Sequence, residues 1–376
     1  MNKSLIGMVG AVALLAGTPA VADDLKIGVL LAFTGPLESL APPIASGAEL
    51  AISEVSESGA LLDGVKITPV RGDSTCIDAA AATAAGERLI TADGIQAMVG
   101  AMCSGATTAV LQNVALPNGT VMISPSATSP ALSTVEDNGQ FFRTAPSDAR
   151  QGEILADMIN ERGISEIALT YTNNDYGKGL GDSISAAFEK LGGTVTINAP
   201  HEDGKGDYSA EVAALAAAGG EVLVVAGYLD QGGKGIIQAS LDSGAFDTFV
   251  LPDGMVGEAI IEAIGPDLNG SFGAIPGSDS NGAAIFADMA SKAGFEPGVY
   301  AAEAYDAAAL ILLAMQKAGS SDPATFKGEI MGVANGPGEA ILPGELAKAL
   351  GILKDGGEVN YVGASAVEFI GNGESA

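Results

Sequence analysis

From Leu25 onward the apolar residues follow two alternating rhythms. Short runs rich in Val, Ile and Leu stand between longer Ala-rich stretches whose apolar positions recur at helical spacing. In the first part of the chain this predicts strands at 25–31, 65–70, 96–100 and 120–124, and helices at 47–57, 78–91 and 105–116. A break follows at Phe141-Phe142-Arg143-Thr144-Ala145-Pro146-Ser147-Asp148, and the rhythm then restarts. Helices at 151–162, 180–191, 209–218 and 236–243 alternate with strands at 166–172, 193–199, 221–226 and 248–251. Repeated βα units imply parallel sheets covered on both faces, so the fold class is α/β with two similar halves. Beyond Gly273 come helices at 283–293 and 301–318, a Gly/Pro-rich tract at 335–343 and a strand-and-turn ending at 359–370. These are too few for a third domain and return to complete the first two.

The first 22 residues follow neither rhythm. A basic start at Asn2-Lys3, an apolar run over 5–16 and a small-x-small site at Ala20-Val21-Ala22 before Asp23-Asp24 predict a cleaved secretory signal peptide. A membrane anchor would need about 20 continuous apolar residues, and Gly17-Thr18-Pro19 interrupts this stretch too early. The residue directly after the cleavage site is Asp23 and not Cys, so no lipid-anchored product is expected. The most apolar later segment, 301–315, carries Glu303 and Asp306 and cannot span a bilayer.

Charge then removes whole classes of partner. With 46 acidic residues against 17 basic ones and a single His, the formal charge is −29. Neutralising phosphates needs Lys/Arg clusters, and none occurs, so nucleic acid is excluded as a partner. An anionic membrane surface would repel the chain as well. A hydrophobic fraction of 47% still supplies an ample core. Export places Cys76 and Cys103 in an oxidising compartment, where an even pair most simply means one disulfide; two buried free thiols are the alternative. His201 lies far from both Cys and no CxxC occurs, which speaks against zinc and against dithiol redox chemistry.

Enzyme signatures fail one by one. No Gly-x-Ser-x-Gly follows a strand. The stretch Gly227-Tyr228-Leu229-Asp230-Gln231-Gly232-Gly233-Lys234 nearly makes a phosphate loop, but its Lys falls one place late and no Ser or Thr follows. Gly177-Lys178-Gly179-Leu180-Gly181 departs from the dinucleotide fingerprint and reads as a helix entrance. His201, in His201-Glu202-Asp203-Gly204, reads as a solvated loop residue, and Asp203-Gly204-Lys205-Gly206-Asp207 lacks the oxygen ladder of a calcium loop. No catalytic residue, metal or cofactor is expected.

Ligands of open α/β sheets bind beyond the carboxyl ends of the strands, and those positions are rich in hydroxyls and tyrosines. Cys103-Ser104-Gly105-Ala106-Thr107-Thr108 joins a strand to a helix, so Ser104, Thr107 and free backbone N–H groups suit a carboxylate, with plain N-capping by Ser104 as the alternative. Ser124-Pro125-Ser126-Ala127-Thr128-Ser129-Pro130 offers a second hydroxyl set or a proline-stiffened turn. In the second half, Asp253 could accept from an ammonium and Tyr176 and Tyr228 could pack on its apolar part. Taken singly, the tyrosines read equally well as core or rim residues and Asp253 as a turn residue.

The chain resembles type I periplasmic solute-binding proteins of the leucine/isoleucine/valine-binding family, from about Leu25 to Ile370. The resemblance rests on Thr34-Gly35-Pro36, Gly47-Ala48-Glu49, Gly72-Asp73-Ser74-Thr75-Cys76, Cys103-Ser104, Ser124-Pro125-Ser126-Ala127-Thr128, Phe142-Arg143-Thr144, Asp175-Tyr176-Gly177-Lys178-Gly179-Leu180, Gly227-Tyr228 and Ala304-Tyr305-Asp306-Ala307. It implies two Rossmann-like lobes joined by a three-strand hinge, closing on a ligand by bending. One lobe takes 23–146 with 277–359 and the other 147–276 with 360–376. It further implies that Ser104, Ser126 and Thr128 hold a ligand carboxylate, with Ser126 acting through its backbone. Tyr176, Tyr228 and Asp253 then surround the ammonium, Tyr300 lines the side-chain pocket, and Cys76 and Cys103 form the disulfide. Leu40 stands where an aromatic often sits and Asp253 where Glu is common, which reshapes the pocket and leaves room for a bridging water. The implied role is a monomeric, non-enzymatic periplasmic protein that binds a small amino acid and delivers it to an ABC transporter permease in the inner membrane. A sensory domain on the same scaffold, or a binder of an amide, urea or an aromatic acid, is the alternative.

Overall fold

The computed structural model describes residues 24–371 and 373–376, and the expected signal peptide at 1–22 lies outside them. Five strands that alternate with helices come first: β1 (Leu25–Leu31), β2 (Ile67–Asp73), β3 (Ala97–Gly100), β4 (Val121–Ser124) and β5 (Phe141–Arg143). Five more follow: β6 (Glu166–Thr172), β7 (Thr194–His201), β8 (Val222–Ala226), β9 (Phe249–Leu251) and β10 (Phe272–Gly273). The later part adds β11 (Glu339–Ile341), β12 (Val359–Tyr361), β13 (Phe369–Ile370) and β14 (Glu374–Ser375). They build a seven-stranded sheet in the order β13-β14-β5-β4-β3-β1-β2, a five-stranded sheet in the order β10-β9-β8-β6-β7 and the small pair β11-β12.

Sequence dictates which strands are central. Val222-Leu223-Val224-Val225-Ala226 is buried throughout and occupies the middle of the second sheet, because a strand covered on both faces must be apolar on both. β2 and β7 mix exposed and buried positions and carry Pro69 and Pro200, and both lie at sheet edges, where a missing N–H costs no ladder bond. The helix Ala301–Ala318, buried over almost its whole length, packs against the helix Ala41–Ser58 in the first lobe. Gly47 permits that approach, since a Cβ there would lie 2.1 Å from the Ala301 carbonyl oxygen.

The chain passes from the first sheet to the second through residues 144–147 and returns through 274–280. The C-terminal pair β13-β14 is the third segment at this junction, and here the sequence expectation is corrected. The resemblance implies that residues 360–376 belong to the second lobe, whereas β14 pairs with β5 in the first sheet. Side chains explain the docking. Phe369 stacks on Phe142 with ring centroids 5.8 Å apart, the Arg143 amide donates to the Gly373 carbonyl at 3.0 Å, and the Arg143 guanidinium pairs with Glu374.

Several helices begin earlier than their apolar rhythm suggests. The helix Ala41–Ser58 takes Pro42 and Pro43 into its first turn, where no backbone donor is needed. The helix Asp175–Lys190 starts at Asn174, whose side chain accepts from the Gly177 amide, so Gly177-Lys178-Gly179 is its first turn. The near-phosphate-loop stretch is the approach to the helix Gly232–Ser243. His201 is also corrected: it is 1% exposed at the end of β7, not a solvated loop residue. Its Nδ1 pairs with the Thr170 hydroxyl at 2.9 Å and its ring meets Tyr208 edge-on, so burial pushes its pKa down to about 4.

Candidate functional site

The carboxyl ends of the two sheets face one another, and a small cavity of about 20 Å3 lies between them. From the first lobe it is lined by Leu37, Leu40, Met102, Cys103, Ser104, Ser126 and Tyr300; from the second by Tyr176, Tyr228, Asp253 and Gly254. Six of the seven expected ligand residues thus line this one cavity. The seventh, Thr128, is buried behind it with its hydroxyl unpartnered and its carbonyl accepting from the Asp148 amide at 2.8 Å.

The first-lobe wall is a donor surface. Cys103 precedes the helix Ser104–Val110, and the first backbone bond of that turn runs from the Thr107 amide to the Cys103 carbonyl. The earlier amides of the turn therefore have no helical acceptor. The Ser104 oxygen accepts from the Ser129 amide at 3.1 Å, which holds the two hydroxyl-rich loops together and leaves the Ser104 proton for another acceptor. Ser126 spends its hydroxyl on the Met102 carbonyl at 2.9 Å, which leaves its backbone as the group it can offer. The Cys76–Cys103 disulfide, with Cα atoms 5.3 Å apart, anchors this loop to the segment after β2.

The second-lobe wall carries the acid. Asp253 is 3% exposed in the turn after β9; Tyr176 donates to its Oδ1 at 2.9 Å and Tyr300 to its Oδ2 at 2.6 Å. Tyr176 stacks on Tyr228 with centroids 5.2 Å apart and planes 9° from parallel. Burial raises the Asp253 carboxyl above its ordinary range, and the two phenols offset part of that rise. Burial and the neighbouring carboxylates push all three phenols up, so they stay protonated as donors. Because Tyr300 belongs to the first lobe, its bond to Asp253 also ties the lobes together. So do the Asp230 amide, donating to the Pro36 carbonyl at 3.0 Å, and the Asp230 carboxylate, accepting from the Ser39 amide at 2.9 Å.

Donors on one wall and a buried acid with aromatic rings on the other suit a small zwitterion with an apolar side chain. Among the described residues no group of three His, Cys, Asp or Glu side chains could hold a metal ion.

Comparison with known proteins places this geometry. Residues 24–338 match the model of the family described as periplasmic binding protein. A Leu/Ile/Val-binding protein homologue from Brucella melitensis is 31% identical over 327 residues, covering 86% of each chain. The chain belongs to the Leu/Ile/Val-binding family of periplasmic binding proteins. Solved structures agree on the fold of this binding protein. A leucine-binding protein from Thermotoga maritima superposes with a TM-score of 0.78 at 22% identity, covering 93% of both chains. A branched-chain amino acid transporter substrate-binding protein from Streptococcus pneumoniae, in complex with isoleucine, gives 0.76 at 24% identity over 94% of this chain and 93% of that one.

One residue of this binding protein's site region escaped the sequence reading. Asp148 opens the helix Asp148–Glu161 just after the first crossing, fully buried, with both carboxylate oxygens lacking a hydrogen-bond partner. Burial first, and the Asp253 charge second, raise its carboxyl well above the usual range. A Ser-Asp pair at a helix start reads as ordinary capping, and Ser147 is indeed the cap, accepting from the Ala149 amide. No signal in the chain itself marks Asp148 as buried.

Proposed function

We propose that this protein binds an α-amino acid with a small aliphatic, branched-chain side chain between its lobes and delivers it to an ABC importer in the inner membrane. The supporting observation is the opposition of Ser104 and its helix turn to Asp253 across one cavity, at the separation of lobes that also bond to each other. In this reading the carboxylate meets Ser104, the Ser126 backbone and the free amides, while the ammonium takes Asp253 in exchange for a tyrosine hydroxyl. Leu37, Leu40 and Met102 receive the side chain. Ligand stabilises the closed arrangement, and the permease reads that state. The protein acts as a periplasmic monomer without turnover, and Thr128 supports the hinge from behind the wall.

Calorimetric titration with leucine, isoleucine and valine tests the assignment. Wild type binds at least one of them, and Asp253→Ala weakens that binding by about a hundredfold, the loss of a buried charge-assisted pair. The variant keeps its circular dichroism spectrum. Unchanged affinity in Asp253→Ala removes the ammonium role. Binding only of ligands without an ammonium, such as amides or aromatic acids, keeps the fold and replaces the ligand class.

A further inference from the structure

Beside the hinge, outside the cleft, runs a groove of about 770 Å3. The first lobe walls it with Pro42, Pro43, Phe295 and Val299, the second lobe with Gly257-Glu258-Ala259, and the return crossing with residues 275–278. Leu40 and Tyr300 form the partition, since each lines both the groove and the cleft cavity. The Tyr300 hydroxyl is committed to Asp253 on the cleft side. On the groove side the walls are mainly apolar, and Ile275 is left 48% exposed there, an uncovered surface of the kind that marks binding sites.

Every charged residue that lines the groove is an acid: Glu258, Glu262, Glu296 and Glu303. The first three are exposed, so water screens them. Glu303 is 4% exposed, in the first turn of the helix Ala301–Ala318, and the Thr144 hydroxyl ties its carbonyl to the first crossing at 2.8 Å. A glutamate in a first turn is ordinarily favoured by the free amides of the helix start. Here burial outweighs its own amide, Asp306 opposes ionisation from the next turn, and the carboxyl is held at about 7. The other titratable groups facing it are Tyr300 at the head of the same helix, Glu258 and Glu262 from the helix Glu258–Ile264, and Glu296 from the segment before Tyr300. The helix Ala41–Ser58, the return crossing and residues 364–365 bring no titratable side chain to the groove.

We infer that this groove is a second binding site, for a primary amine on an apolar body, with the ammonium on the Glu303 carboxylate and the body along Pro42, Pro43, Phe295 and Val299. An ammonium brings N–H donors to an acceptor that no basic side chain reaches, and the acids at the rim draw cations in and repel anions. Ionised Glu303 is the form that binds, so affinity rises with pH while an alkylammonium, like that of lysine, keeps its charge. Both lobes and the return crossing wall the groove, so an occupant touches all three and its binding is linked to lobe closure. The site needs no amino acid in the cleft.

The test titrates phenethylamine into the protein with labelled methyl groups, followed by NMR at pH 8 and pH 6. Shifts are expected at Ile275 and Val299 in the groove and not at Leu37 and Met102 in the cleft, with a Kd on the order of 1 mM at pH 8. Affinity falls about tenfold at pH 6, as the carboxyl takes up its proton. Phenethyl alcohol, the same body without the charge, binds about tenfold more weakly than the amine at pH 8. Glu303→Gln binds the amine about tenfold more weakly at pH 8 and alike at the two pH values. Shifts confined to the cleft methyls, no saturable shift, or equal binding of amine and alcohol each overturn the inference. So does folded Glu303→Gln that keeps the wild-type affinity and pH profile. Should that variant fail to fold, the pH profile and the alcohol decide on wild type alone: a flat profile overturns the role of Glu303, and a tenfold rise in affinity with pH together with rejection of the alcohol upholds it.

Discussion

Asp306 and Asp148 are both completely buried, and their surroundings are opposites. Asp306 Oδ1 accepts from the Tyr361 hydroxyl and the Ala364 amide, each at 2.7 Å. Its Oδ2 accepts from the Ser365 amide at 2.7 Å and the Ser365 hydroxyl at 2.6 Å. Asp148 has no comparable set: only the Thr128 hydroxyl and the Arg143 charge favour its carboxylate, against burial and the Asp253 charge. The first network is complete, and it pins the 361–365 turn to the helix Ala301–Ala318. The second is open, and it lies beside the acid that faces the ligand cavity. A buried carboxylate alone indicates neither structure nor function; the tally of its partners separates the two, because an unmet buried charge is too costly to persist as packing.

The sharpest break of this contrast is removal of the satisfied acid. Asp306→Ala strands two amides and two hydroxyls in the core, and is expected to destabilise the protein by about 3–5 kcal/mol. Urea unfolding measures it. A loss under about 1 kcal/mol would mean that the turn refolds around water and that completeness of the network carries little weight.

Titration comes next in size. Burial holds Glu303 at about 7 and Asp306 at about 6, both above their unfolded values, so the folded state binds these protons more tightly than the unfolded chain does. Their contribution is fully present below the unfolded carboxylate pKa and is lost as pH rises through 6 and 7. His201 acts in the other direction, since its depressed pKa removes stability only as pH falls from 6.5 toward 4. Between pH 6.5 and 8 His201 is therefore nearly silent, and stability falls with rising pH. Glu303 alone accounts for about 1–2 kcal/mol between pH 6 and 8. Glu303→Gln is expected to flatten the slope by that amount in unfolding curves at the two pH values, and an unchanged slope would show that water reaches the Glu303 carboxyl and relieves its burial.

The ease with which each region could be read in the chain follows the same division. Runs such as Val222 to Ala226 declare a central strand, and the unbroken apolar helix Ala301–Ala318 declares its burial, because composition at those positions is nearly uniform. Tyr176, Tyr228, Asp253 and Ser104 stood immediately after predicted strands, where cleft residues of this fold class fall. What escaped depends on distant contacts. β5 is three residues long and is a strand because β14 and β4 flank it. The tail joins the first sheet through Phe369 and Glu374, an attachment that no local pattern encodes. The helix Leu346–Lys354 lies between Gly/Pro-rich segments that hide its rhythm. His201 lies among acids in sequence but under Gly227 and Gly232 in space, where added Cβ atoms would come within 3.2 and 3.0 Å of its ring.

The smallest expected effect is the most discriminating, because its sign reverses. Asp148→Asn deletes a charge that burial and Asp253 both oppose, and its new amide finds waiting acceptors in Gln151 and Asp253. The ligand-free variant should be more stable than wild type by about 1 kcal/mol at alkaline pH, with the difference shrinking as pH falls, because the raised Asp148 carboxyl takes up its proton more readily in the folded state. Asp306→Asn should go the other way at both pH values, since an amide NH2 facing the Ala364 and Ser365 amides puts donor against donor. If both asparagine variants lose stability alike, the two aspartates are equivalent scaffolding and the openness of the Asp148 network has no consequence. If only Asp306→Asn does, the charge at Asp148 is held at a cost to the protein's own stability, whereas the complete network at Asp306 contributes to it.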